Sequence, residues 1–475
     1  IEDNMKKYVC KIFSLKDILY LFGMMGDRDM GQKEKMINLT EGSVAKGLWE
    51  FTLPLMLGQL LQQLYNVADA WVIGNYADNA SFAAVSAGGS LTFLVVGFFN
   101  GISIGGGVVI SRYFGAKDHK NVSKAIHTNV LFGLIASILA TVLTVWLTPQ
   151  MLVWMQTPEN VIPYSITYFR IYFAGVSMII LYNIFMAVMR AVGDSIHPLY
   201  YLCVSSVVNV ILDLVLVAGM HKGVAGAAIA TVVSQGLSAI LCLIRMQKTG
   251  GYMRIHLSQL KYDGPMMKQV LYQGLPAGIQ NSALSLGNIV VQSNINSFGE
   301  FAMSGLGAHS KIEGFVFIPI ISVSNALSTL VSQNLGAGKV DRAKKGAFIG
   351  MAASMVITVF MGIGMYILAP YLIGIFTSEP QSVEYGVVFM RTVTIFYLFL
   401  TFTHEAIGIL RGLGKSVIPM IGMFGFWCVG RILYVTIALH FIPDFRVICW
   451  AYPITWTCTT VTFAIVLSRT RWKIC

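Results

Sequence analysis

Residues 53–77 read LPLMLGQLLQQLYNVADAWVIGNYA. These 25 residues contain one acid, Asp69, and neither Lys nor Arg. About 20 predominantly apolar residues suffice to cross the hydrocarbon of a bilayer as a helix. The polar residues Gln59, Gln62, Asn66 and Asp69 are spaced 3, 4 and 3 apart. At 3.6 residues per turn they share one face. The stretch therefore predicts a membrane helix with one polar stripe and an acid inside it.

The rest of the chain repeats that texture. Of 475 residues, 56% are hydrophobic and 12% charged, and the mean hydropathy is +0.69. A soluble domain carries roughly 25% charged residues. Twelve apolar windows of about 20 residues or more follow one another between residues 47 and 467. They are apolar on most faces, whereas the strands of a membrane barrel alternate. The fold class is an all-α polytopic membrane protein with twelve transmembrane helices.

The net charge of +11 does not call for a nucleic-acid partner. Lys and Arg concentrate in the loops at 112–124, 245–268 and 339–345 and at Arg469, Arg471 and Lys473, while the opposite loops carry only Lys222 and Arg446. That asymmetry orients a membrane protein with its basic loops in the cytoplasm. The seven cysteines show no CxxC or CxH spacing, so no metal or disulfide signature is present. Residues 1–45 are too charged to span and read as a cytoplasmic tail. Lys16 and Asp17 interrupt any signal-peptide core. The natural start is expected at Met30 or Met36.

The chain is also a duplication. ISRYFGAKDHKNVSKA from 110 matches VSQNLGAGKVDRAKKG from 331, and VMRAVGDSIHP from 188 matches ILRGLGKSVIP from 409, both at an offset of 221. TLPLMLGQ at 52 and GLPAGIQN at 274 match at 222. One period holds six windows, which makes two parallel six-helix repeats: 46–245 and 269–468, joined by a basic cytoplasmic linker, 246–268, and followed by a short cytoplasmic tail, 469–475. GLGKS at 412–416 is not a phosphate-binding loop, because Ile409 stands where that motif needs Gly.

Further polar stripes accompany the first. The fifth window carries Ser205, Asn209 and Asp213, the sixth Thr231, Ser234 and Ser238, and the seventh Asn281, Ser285, Asn288 and Gln292. An acid at mid-helix costs about 2.5–3.5 kcal/mol on insertion scales. Asp69 and Asp213 are therefore candidate functional groups. Such a pair can take up a proton, or hold Na⁺ with the oxygens of Asn209 and Thr231. The second repeat lacks both acids, since Val290 or Val291 matches Asp69 and Tyr434 matches Asp213. It carries His404 and Glu405 instead, two further candidates on different helix faces. Arg170, Lys311, Arg391 and Arg431 are the cations that fall within the windows.

The 53–77 stretch, SRYFGAKD, MRAVGDSIHP with VVNVILD after it, and GVAGAAIATVVSQ together resemble the multidrug and toxic compound extrusion (MATE) family, with the closest likeness to its DinF-like branch. The likeness runs from about residue 38 to 470. It implies two six-helix lobes forming a V around a central cavity, and efflux of organic cations in exchange for H⁺ or Na⁺. In that branch an Asp of the first helix and an Asp of the fifth form the ion site, completed by an Asn and a Thr. These match Asp69, Asp213, Asn209 and Thr231. A Gln of the first helix and an Asn of the fourth match Gln62 and Asn183. The NorM-like branch has a Glu on the seventh helix, where this chain has only amides. The substrate cavity is expected to draw on Gln62, Asn66, Asn183, Asn281, Asn288, His404 and Glu405. Partners are then small organic cations, the coupling ion and the bilayer, with no cofactor, and a monomer is expected.

Other readings predict other residues. A lipid-linked sugar flippase of the same broad superfamily leans on cationic cavity residues. A membrane-embedded enzyme needs a catalytic constellation, and none stands in the sequence. A passive channel has no use for a titratable pair.

Overall fold

The structure is a computed structural model, and it describes residues 36–77, 81, 84–85, 89–155, 157, 159 and 161–472. The expectations on the N-terminal start and on Lys473 lie outside the described residues. Residues 1–37 and 38–475 are separate units. Of the first, Met36 and Ile37 are described and carry no helix. All that follows concerns the second.

The described residues are helical throughout the windows. Eight helices are long and apolar enough to cross a membrane: Leu91–Gly115, His119–Trp154, Ile196–Gly219, Gly223–Thr249, Glu300–Gly336, Val340–Gly374, Val417–Phe441 and Phe445–Arg469. Two more spans are broken helices. Ile162–Ala174 and Val176–Ala191 meet at 46°, and Pro380–Thr394 and Tyr397–Gly412 meet at 57°. The remaining two, Val44–Tyr76 and Gly264–Asn296, are 33 residues each. They are long enough to span, and the stripes of Gln, Asn and Asp lower their mean hydropathy. These are the first and seventh of twelve spans, and they occupy matching places in the two halves.

The duplication is visible in the helix ends. The inner segments of the fourth and tenth spans, Val176–Ala191 and Tyr397–Gly412, are offset by 221 at both ends. The tight turns match too. Lys117 and Gly338 are both left-handed, with φ of 57° and 74°, as are Gly193 and Gly414, at 92° and 79°. Lys117 thus holds a conformation that its counterpart satisfies with glycine. Side chains start several helices in the same way. Asp118 accepts the N–H of Asn121 at 3.1 Å, Asp263 that of Met266 at 2.9 Å, and Ser43 that of Lys46 at 3.5 Å. Each satisfies a donor that the first turn of a helix leaves open.

The second and eighth spans lie innermost, with 61% of each apolar window buried, against 28% for the third and ninth. Trp146, Phe348 and Phe360 on those outer spans are exposed, as residues facing lipid are. The halves meet along the second, seventh and eighth spans. A Cβ on Gly105 would overlap the backbone of Gly274, and one on Gly101 the backbone of Ala277. Gly115 sits on the carbonyl of Gln333, and Gly336 on that of Arg112. Without Cβ atoms the backbones approach closely, which supplies the van der Waals contact that holds membrane helices together. Polar side chains finish the seam by capturing carbonyls. Ser332 Oγ donates to Val108 O at 2.7 Å, Gln333 Nε2 to Ala191 O at 2.9 Å and Asn281 Nδ2 to Gly97 O at 2.9 Å.

At the end that bears the basic turns, the segment before the first span is strapped to the eighth and ninth. Leu39 is buried. Its carbonyl accepts from Asn334 Nδ2 and from Arg342 Nε, each at 3.1 Å. Arg342 also donates to the carbonyls of Glu41 at 2.6 Å and Gly42 at 2.7 Å, and Lys339 Nζ to that of Thr40 at 2.9 Å. The linker after Thr249 lies on the third span. The N–H of His256 donates to His127 Nε2 at 2.9 Å, and Lys124 pairs with Asp263 at 2.7 Å.

Candidate functional site

The first, fifth and sixth spans bring their polar stripes together. Asp69 stands on the first span seven residues before its end at Tyr76, while Asp213 ends the α-helical part of the fifth. There the helix widens into a π-helical turn over Leu214–Gly219, a device found often at functional sites. The carboxyl groups of Asp69 and Asp213 adjoin. Asp213 and Asn209 are buried, at 0% and 1% exposure. Thr231 is buried beside them, with its hydroxyl donating to Ala227 O at 3.1 Å.

Saturation decides what this group can do. Both oxygens of Asp213, Oδ1 of Asp69 and both polar atoms of the Asn209 amide are buried with no hydrogen-bond partner. Buried polar groups are paired in the great majority of cases, and two adjoining carboxylates repel when both are ionised. A proton shared between them removes the repulsion. A monovalent metal cation does the same, using carboxylate, amide and hydroxyl oxygens, the hard donors that such ions take. The donors are all oxygens, and among the described residues no third His, Cys, Asp or Glu joins the two acids. The residues fit a proton or an alkali cation.

The sequence pointed to these four residues and to Ser205 and Ser234 on the same stripes, and missed Tyr65, Ser206 and Gln235 beside them. Tyr65, Ser205, Ser206, Asn209, Thr231 and Gln235 line one crevice, in which the Tyr65 hydroxyl adjoins the Gln235 amide. Tyr168 and Tyr172 of the fourth span stack on each other nearby, with ring centroids 5.9 Å apart. Tyrosines within an apolar run look like packing residues, and Gln235 follows Ser234 directly, so neither stood out.

The other candidates are dispersed. Gln62 is half-buried and Asn66 exposed on the first span. Asn183 donates to Ile179 O at 2.8 Å and accepts from Asn100 at 3.3 Å. Asn281 belongs to the seam between the halves, and Asn288 accepts from Arg431 at 3.4 Å. Glu405 is fully buried in the second half, with the Ser354 hydroxyl near but outside hydrogen-bond geometry. His404 points elsewhere, edge-on to Phe317 and Trp427 at 5.7 and 5.8 Å. Among the described residues no hydrogen bond or ion pair joins either to the Asp69 group.

Of a second polar cluster the sequence marked only Arg431, as a cation within a span. Glu313 of the eighth span accepts from the Tyr397 hydroxyl at 3.3 Å and lies 3.7 Å from Nε2 of the buried His309. Arg431 is buried close by.

Comparison with known proteins gives a consistent result. The MatE family model matches the chain twice, over residues 54–215 and 276–435. The chain is 28% identical over 400 residues to the probable multidrug resistance protein YpnP of Bacillus subtilis (strain 168), covering 83% of this chain and 88% of that one. It is 26% identical over 386 residues to the probable multidrug resistance protein NorM of Thermotoga maritima, covering 80% and 82%. In fold it is similar to a multidrug resistance MATE family transporter of the MOP superfamily solved in an outward-facing conformation, with a TM-score of 0.85 at 20% identity, covering 92% of this chain and 98% of that one.

Proposed function

The chain belongs to the MatE family, by a family match that covers well over half of it in two repeats, and from that premise we propose that it is a secondary active multidrug efflux transporter, exchanging amphipathic organic cations for H⁺ or Na⁺. The observation that carries the coupling is the adjoining pair Asp69 and Asp213, with buried oxygens that no protein donor reaches. A cation bound there changes the local charge by one unit. It biases a two-state bundle to the extent that it binds one state better than the other.

The lobes in this reading are residues 46–245 and 269–468, moving as a monomer without a cofactor. The basic loops face the cytoplasm, so the glycine seam and the strap close the cytoplasmic side. Asp69, Asp213, Asn209 and Thr231 bind the ion. Gln62, Asn66, Asn183, Asn281, Asn288, His404 and Glu405 supply the wider cavity. Aromatic faces attract organic cations by roughly 0.5–2 kcal/mol each. Acids add Coulomb attraction that grows as water leaves. A substrate cation and the coupling ion then compete for one negative charge, which is the logic of exchange.

The test is a gradient-driven efflux assay in everted vesicles, with ethidium as substrate and a proton or sodium gradient imposed in turn. Ethidium movement that depends on one gradient supports the reading and names the ion. Movement with neither, in vesicles that contain the protein, refutes it. Resistance confined to anionic compounds in an efflux-deficient host would favour a lipid-type cargo instead.

A further inference from the structure

The repeat locates the second half's counterparts of the polar stripes on the first, fifth and sixth spans. Carried across the repeat, Asn66 corresponds to Asn288 at the offset of 222 that relates the first and seventh spans. Thr231 and Ser234 correspond to Tyr452 and Thr455 at 221. In the first half these positions lie on the stripes around Asp69 and Asp213. In the second half all three surround the guanidinium of Arg431. NH1 donates to Asn288 Oδ1 at 3.4 Å and NH2 to Thr455 Oγ1 at 3.1 Å. The Tyr452 ring lies under the guanidinium carbon with its centroid at 4.2 Å, and the Trp427 ring flanks it at 5.3 Å. Glu313 stands within electrostatic reach without direct ion-pair contact.

We infer that Arg431 is a tethered cation occupying the second half's counterpart of the ion site, and that it thereby denies that half an exchangeable cation. Three observations converge on it. The residue begins the α-helical stretch Arg431–Phe441 directly after a π-helical segment, Phe424–Gly430, so the eleventh span carries a π turn as the fifth does. The arginine is 2% exposed, and Arg stays charged under any ordinary condition, so the positive charge is permanent. Its surroundings are also those of an organic-cation pocket: two aromatic faces, an amide, a hydroxyl and a carboxylate at short range. The duplicated halves have therefore diverged in opposite senses. One kept two acids and a cation that comes and goes. The other replaced both acids with Val and Tyr and supplied the cation covalently.

The comparison between halves rests on the role proposed for Asp69 and Asp213, so the experiment reads the second half alone and needs no transport. Thermal unfolding midpoints of the purified, detergent-solubilised chain are measured for wild type, Arg431→Ala, Arg431→Met and Arg431→Lys, each in methylguanidinium chloride and in sodium chloride of equal ionic strength. The Ala variant is expected to melt several degrees below wild type. Methylguanidinium should restore much of that loss and leave wild type unmoved. Asp69→Asn added to the Ala variant should leave the rescue intact, which separates this result from the fate of the transport proposal. Lys, which keeps a tethered charge, is expected to exceed Met, which keeps only the bulk. If the Ala variant does not accumulate, membrane yield of Lys against Met makes the same comparison. Equal rescue of wild type and the Ala variant, or Met equal to or better than Lys, overturns the inference.

Discussion

The Asp69 carboxyl adjoins the Asp213 carboxyl across two spans, with no basic side chain in the pair. Each acid alone costs about 2.5–3.5 kcal/mol in a membrane helix, and their proximity adds repulsion unless a cation lies between them. On the proposed reading the cation needs both acids, so removing either is expected to have the same consequence.

Asp69→Asn and Asp213→Asn are each expected to abolish gradient-driven ethidium efflux while the protein still accumulates in the membrane. Asn209→Ala and Thr231→Ala remove one neutral ligand apiece. At about 1 kcal/mol per ligand they should weaken apparent ion affinity roughly fivefold. Vesicle transport against ion concentration separates the two classes, and normal transport by both Asn variants would place the engine elsewhere.

The glycine seam sets a second expectation. Gly336→Val drives a side chain into the Arg112 carbonyl, and overpacking of this kind costs typically about 1–3 kcal/mol. A lowered unfolding midpoint is expected. Gly307→Val, on the same helix but with open space where its Cβ would stand, should unfold near the wild-type temperature. Equal effects at the two sites would mean the contact between halves contributes nothing.

For the strap, Arg342→Ala leaves the carbonyls of Glu41 and Gly42 without the donors they now have. Faster amide hydrogen exchange across residues 39–43 is expected, with little change at Asn209. Arg342→Lys should restore little, since one ammonium cannot match a planar fork that serves three carbonyls. Protection unchanged in the Ala variant would count against the strap.

The linker contact is pH-sensitive in a defined direction. Lys124 at 2.7 Å, together with the Met266 N–H, holds the Asp263 carboxyl below its usual 3.8. A carboxylate with a depressed folded value contributes stability that is whole above the unfolded value and is lost as pH falls through the folded one. Protease nicking of residues 250–262 should therefore increase only on acidification below about pH 4. The contact is exposed and its effect modest. Asp263→Asn should show the increased nicking already at neutral pH, and nicking of wild type that rises between neutral pH and the carboxylate range would assign the loosening to another group.

Much of this was legible in the sequence for physical reasons. A lone acid in an apolar run is conspicuous, so Asp69 and Asp213 stood out; helical periodicity put Asn209 on the face of Asp213, and the family resemblance added Thr231 from the stripe on the sixth window. The repeat showed because its turns need particular backbone conformations, as at Gly193 and Gly414. Other features left no trace. The strap binds carbonyls, which every residue has, so nothing at 39–42 marks it. Tyr65 looks like any apolar-helix tyrosine. Arg431 read as one of four cations within spans, because a cation–π pocket depends on Tyr452 and Trp427 converging from other positions. Glu313 has Lys311 two residues away, so it is not the lone charge that Asp69 and Asp213 are.

The strap has a consequence for how the chain is made. Its donors, Asn334, Lys339 and Arg342, lie about 300 residues downstream of the carbonyls they bind. At about 5–20 residues per second, a ribosome needs roughly 15–60 s to deliver them. For that interval the first span is in the membrane with its leading end undocked, and an early segment waits for the second half to find its place. Docking of residues 39–42 thus reports the arrival of the eighth and ninth spans, and a chain truncated before Asn334 would leave that end open to quality-control proteases.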